Sequence, residues 1–126
     1  MIRVLALAAL LLAAAPAAQA AEPPSVIDRC TSGPEGGGNP YAVDCINRQF
    51  DIEDARLNRA YQAALARLAP KPRQALRVEQ RTWLKGRDDC PYSREADGAD
   101  FVLLIADCVY SRTRDRADEL ERYGGR

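Results

Sequence analysis

Between Tyr41 and Leu68 the chain runs for 28 residues without a glycine or a proline. A stretch of that length free of both breakers reads as one long helix. Phe50, Asp54, Leu57, Tyr61, Ala64 and Leu68 recur within it at alternating steps of four and three, which puts them on one face. Pro70-Lys71-Pro72 ends it, because proline lacks an amide and disfavours helix in the residue before it. A second helix is predicted from about Arg73 to Asp89, with Leu76, Gln80, Trp83, Arg87 and Cys90 facing inward and Gly86 weakening its last turn. After a loop through Gly98, a third runs from about Asp100 to Tyr123. Its inner stripe is Val102, Ile105, Val109, Thr113, Ala117 and Leu120, and Gly124-Gly125 stops it. Period-two alternation persists nowhere. The predicted fold is all-α: a small, disulfide-stapled, three-helix up-down-up bundle with an irregular N-terminal arm.

The N-terminus reads as an address. Met1-Ile2-Arg3 precedes an apolar run from Val4 to Ala15, and Ala18-Gln19-Ala20 offers small residues where a signal peptidase cuts. Cleavage is expected after Ala20, with Ala21 as the neighbouring option. The run falls short of the roughly 20 residues that span a bilayer, and no second one follows, so no stable membrane insertion is expected after cleavage. No cysteine sits beside the cleavage point to take a lipid. The expected organisation is a signal peptide over 1–20, an arm rich in Pro and Gly over 21–40, and a helical domain over 41–126. The expected location is periplasmic or secreted. In an oxidising compartment Cys30, Cys45, Cys90 and Cys108 read as two disulfides. They contain no CxxC pair, so neither a zinc site nor another metal or cofactor is expected.

A tight turn makes the first two helices antiparallel, and facing residues then share a constant sum of their numbers. Tyr61 with Gln80, Asn58 with Trp83, and Asp54 with Arg87 all give the same sum. These six residues form a polar ladder on an inner face, with Asp54 and Arg87 as an ion pair and Asn58 as a further hydrogen-bonding group. Such a pair fixes register more than it adds stability, since desolvation offsets much of the attraction. Asp54 is also the obvious candidate for general acid–base work, but a carboxylate clasped by a guanidinium makes a poor proton donor. The structural role is preferred. The ladder places position 51 opposite Cys90, about 9 Å along the helix from Cys45 at ~1.5 Å per residue, so Cys45–Cys90 is disfavoured. Cys30–Cys45 with Cys90–Cys108 is the expected pairing, and Cys30–Cys90 with Cys45–Cys108 stays open.

Composition removes most enzyme chemistry. There is no histidine, hence no triad, Cys-His pair or HExxH site. Lys and Arg number 18 against 18 Asp and Glu, so the chain as a whole carries no basic excess for nucleic acid. No catalytic residue is assigned.

Asp54-x-x-Leu57-Asn58-x-x-Tyr61, then Gln80-Arg81-x-Trp83-Leu84-x-x-Arg87-Asp88-x-Cys90, then Cys108 with Thr113, Arg116 and Leu120, resemble the LprI-like lysozyme-inhibitor family from about Cys30 to Leu120. The resemblance implies an exported, disulfide-bonded helical domain whose partner is a lysozyme. An inhibitor needs a rigid projection toward a sugar-binding cleft. Residues 88–100 hold Asp88, Asp89, Glu95, Asp97 and Asp100 against Arg94 alone, with Tyr92 as an aromatic contact. A Cys90–Cys108 bridge would preorganise this loop, and its charge would steer a basic lysozyme. The glycine-rich stretch 33–38 is the poorer candidate. The alternative functions are a non-catalytic envelope interaction or assembly module, and a glycan hydrolase using carboxylates such as Asp54 or Asp88.

Overall fold

A computed structural model describes residues 24–32, 39–90 and 99–123. The expected signal peptide, the glycines at 36–38 and loop residues 91–98 lie outside them. The described residues form four helices and no strand: α1, Val26–Ser32; α2, Asn39–Arg67; α3, Pro70–Arg87; and α4, Ala99–Arg122.

The fold is all-α, and three long helices run up, down and up. α2 and α4 are parallel. At one end Ala42 and Ile46 cluster with Leu103 and Tyr110; at the other Leu57, Ala60 and Ala64 cluster with Ala117 and Leu120. Alanines on both helices let them pack along most of their length. α3 folds back against them and adds Leu76 to the second cluster, with Trp83, Tyr61 and Leu68 at its edge. Leu76 and Gln80 are its only buried residues. α3 ends level with Asp54, so the half of α2 before that point packs on α4 and α1 instead.

Three expectations need correction. The arm is not irregular throughout: residues 26–32 are helical. Ser25 caps this helix by accepting a bond from the Asp28 amide at 3.1 Å, and the Asp28 carboxylate accepts bonds from the Ser25 hydroxyl and amide. Val26 and Cys30, one turn apart, are buried in the first cluster. Second, Pro70-Lys71-Pro72 is not the turn between helices but the first turn of α3. Proline costs nothing there, because the first amides of a helix have no intrahelical acceptor. The break is only Leu68-Ala69, and Arg73 closes it by donating to the carbonyls of Leu65 and Leu68 at 2.9 Å each.

Third, the buried stripe in the first half of α4 is rotated by one residue. Leu103 and Tyr110 enter the core, whereas Val102 is 50 % exposed. The segment from Phe101 to Val109 is apolar on nearly every side, so its hydrophobic period cannot choose a face. α1 chooses it, by packing Val26 and Cys30 against Leu103 and Tyr110. From Thr113 onward the expected stripe of Thr113, Ala117 and Leu120 is fully buried. Leu103→Ala should therefore cost about 2–4 kcal/mol in urea unfolding and Val102→Ala less than about 0.5 kcal/mol. Equal costs would return the stripe to the face that periodicity alone suggests.

Candidate functional site

The seam of α3 is where the polar residues of the chain meet. Arg87 Nη1 lies 3.2 Å from Asp54 Oδ1, and Asn58 donates to Asp54 Oδ2 at 3.1 Å. The Arg87 guanidinium stands over the rings of Phe50 and Trp83, with 5.4 and 5.9 Å to their centroids, and its Nε donates to Asp88 at 2.8 Å. The side chains of Arg87 and Asp54 are 19 % and 35 % exposed. The pair sits at the rim of the seam rather than sealed within it.

Gln80 is buried, but its carbonyl oxygen accepts from Arg116 of α4, at 2.9 Å, rather than bonding to Tyr61 of α2. Tyr61 packs on the apolar cluster instead. The ladder is thus shared among three helices. Arg116 is almost fully buried, and its Nη1 lies 2.8 Å from both Glu79 and Glu119. Its Nη2 is buried with no hydrogen-bond partner among the described residues. Arg116 continues the step of three from Thr113 and four to Leu120, so the inner face held a cation that a search for hydrophobic positions passes over.

A further arginine, unlike Arg116, lies outside the motif residues of the sequence. Arg112 Nη1 donates to the carbonyls of Gly86, Arg87 and Asp89 at 2.6, 3.3 and 2.9 Å. A cation on the unsatisfied carbonyls of a helix C-terminus is favourable, and here it reaches across from another helix. Just beyond, Cys90 is bonded to Cys108 with 6.2 Å between Cα atoms, and Cys30 is bonded to Cys45 with 5.6 Å. These four residues leave no free cysteine. Disulfide and arginine together fix the point where the acidic loop leaves α3. Asp88 and Asp89 are exposed there, and Asp100 lies in the first turn of α4. Tyr92, Glu95 and Asp97 fall outside the described residues.

Charge is separated along the bundle. The described residues 24–32, 39–54, 87–90 and 99–112 carry nine Asp and Glu against Arg29, Arg48, Arg87 and Arg112. Residues 55–86, toward the α2–α3 turn, carry eight Lys and Arg against Glu79, and residues 113–123 of α4, which pack on them, add Arg114, Arg116 and Arg122 against Asp115, Asp118, Glu119 and Glu121. Asp107 belongs to the acidic end and is half-buried on α4. Burial raises its pKa from the ordinary 3.8, and the charge of Arg114 only partly opposes that shift. At the other end Arg56 bonds to Glu53, Asp118 and Glu121, tying α2 to α4. The hydrogen bond from Arg56 holds the Glu121 carboxyl below its usual range. Among the described residues no cluster of His, Cys, Asp or Glu has the makings of a metal site, and no helix is long and apolar enough to cross a membrane.

The family model described as lysozyme inhibitor LprI matches residues 30–120, well over half of the chain. No curated protein and no solved structure matches it significantly.

The geometry yields two checks. In urea unfolding, the Asp54→Ala/Arg87→Ala pair should be less destabilising than the summed single changes by about 1 kcal/mol, as befits a half-exposed ion pair. Strict additivity would mean that the two do not interact. Folding shifts Asp107 toward its neutral form relative to the unfolded chain, so its contribution to stability is full below the unfolded pKa and is lost as pH rises through the folded value. Asp107→Asn should therefore melt above the parent at pH ~7, with the gap closing near pH ~3.

Proposed function

The chain belongs to the LprI lysozyme-inhibitor family, and from that premise we propose that it is an exported, non-catalytic protein that blocks a lysozyme by direct binding through the acidic end of its bundle. The matched stretch spans all of α2 and α3 and all four cysteines. Two disulfides and this family suggest an extracellular or periplasmic protein.

The observation that carries the choice of surface is the excess of nine carboxylates over four arginines among the described residues at one end of a chain with no net charge. Many lysozymes are basic, and a field of one sign concentrated at one pole steers encounter and orientation even when the molecule as a whole is neutral. Rigidity supports the same surface. Cys90–Cys108 and the Arg112 bonds hold the base of the acidic loop from two sides, which lowers the ordering cost on binding. Asp88 and Asp89 flank that base, and Tyr92, Glu95, Asp97 and Asp100 continue it along the chain. In this reading Asp54 does no chemistry. Its partner Arg87 spaces the acidic end, and Asn58, Tyr61, Gln80 and Trp83 belong to the scaffold behind it.

Titrating purified protein into several lysozyme types acting on cell-wall suspensions should stop lysis at a stoichiometric ratio for at least one basic lysozyme. Absence of inhibition across all types would overturn the reading in favour of an envelope assembly module. The triple variant Asp89→Asn/Glu95→Gln/Asp97→Asn should weaken binding roughly tenfold or more, mainly through slower association and with a flatter salt dependence.

A further inference from the structure

Cations and exposed apolar side chains converge on the outer face of α3. Arg77, Arg81 and Lys85 recur every four residues and so line one ridge. All three are exposed, and none bonds to another described residue. Leu84 and Val78 flank the ridge on its two sides and are 44 % and 48 % exposed. Lys71 lies just beyond Val78 on the helical projection. The inner face of the same helix, with Leu76, Gln80 and Arg87, is turned to α2 and α4, so the outer face has no partner within the described chain.

We propose that this face is a docking surface for a bilayer rich in anionic phospholipids. The cations sit on the phosphate headgroups, and Leu84 and Val78 reach the boundary of the acyl region. Three observations select a lipid surface over another polyanion. A helix of 18 residues presents a convex line about 27 Å long at ~1.5 Å per residue, which meets a plane rather than enclosing a strand. Two exposed aliphatic side chains among cations gain from an interface, as in helices that lie on membranes. The ridge also carries no aromatic side chain on which a nucleic-acid base would stack, since Trp83 points to the opposite side. The ridge then sets the orientation: α3 lies along the surface, and α2 and α4, which pack on its inner face, are turned away from it. Docking is peripheral, since no described helix is long and apolar enough to cross.

The proposal is independent of lysozyme binding, and its test keeps the two apart. Purified disulfide-bonded protein would be floated with vesicles of mixed phosphatidylglycerol and phosphatidylcholine, and with vesicles of phosphatidylcholine alone. Binding is expected to the mixed vesicles only, and to fall with salt. Each cation near such a surface strengthens binding roughly fivefold, so Arg77→Gln/Arg81→Gln/Lys85→Gln should weaken it about 100-fold. Circular dichroism and lysozyme inhibition by this variant should be unchanged. Leu84→Ser/Val78→Ser should weaken vesicle binding severalfold while leaving the salt dependence intact. Equal partitioning to both vesicle types, or full binding by the triple variant, would overturn the proposal. So would loss of vesicle binding to a soluble polyphosphate competitor combined with no effect of the Leu84 and Val78 changes, which would assign the ridge to a soluble polyanion.

Discussion

Three arginines hold α3 in place. Leu76 is its one buried aliphatic side chain, so apolar packing alone would leave it free to slide and rotate against α2 and α4. Arg87 fixes it to Asp54 on α2, Arg116 of α4 grips Gln80 and Glu79, and Arg112 holds its last carbonyls. Each contact works in only one register, because a guanidinium presents its donors in a fixed planar fork. Buried charge of this kind contributes little net stability once desolvation is counted, but a misaligned α3 would strip the buried Arg116 of Gln80 and Glu79 and leave it Glu119 of its own helix. The cost of the wrong alignment, rather than the strength of the right one, makes the arrangement unique.

That distinction explains what the sequence discloses and what it conceals. The Asp54–Arg87 pairing follows from a short connection and a helical period, since once two antiparallel helices share a turn, facing positions are arithmetic. The same arithmetic disfavours Cys45–Cys90. It fails where a third helix intervenes. Gln80 faces the seam as expected, yet nothing in a two-helix argument reveals that α4 supplies its partner. The face of α4 is hidden for another reason: between Phe101 and Val109 almost any side would suit a core, and only α1 decides. α1 has its own signal in Ser25-x-x-Asp28, a capping box masked by the neighbouring prolines.

Net charge misleads in the same way as hydrophobic period. Eighteen cations and eighteen anions sum to nothing, which argues against a general polyelectrolyte partner. Yet residues 55–86 hold eight cations and one anion in an unbroken piece of sequence. The bundle preserves part of this segregation: the α2–α3 hairpin folds the basic stretch onto itself at one end, and α4 answers it with Asp118 and Glu121 on Arg56. Neutrality here is the sum of two opposed excesses rather than the absence of either.

The crosslinks follow the same division. All four cysteines lie toward the acidic end, where α3 has stopped and α2 and α4 have only the seven-residue α1 beside them. At the opposite end Leu57, Leu76 and Leu120 meet in a cluster contributed by three long helices, and no disulfide is present. Covalent bonds thus stand where a seven-residue helix replaces a long one and like charges repel. A small domain has little apolar surface to spend on rigidity, and a bridge that restrains the unfolded chain contributes about 2–4 kcal/mol without asking for more core. An acidic end held open by disulfides can stay both charged and rigid, two properties that packing alone would set against each other.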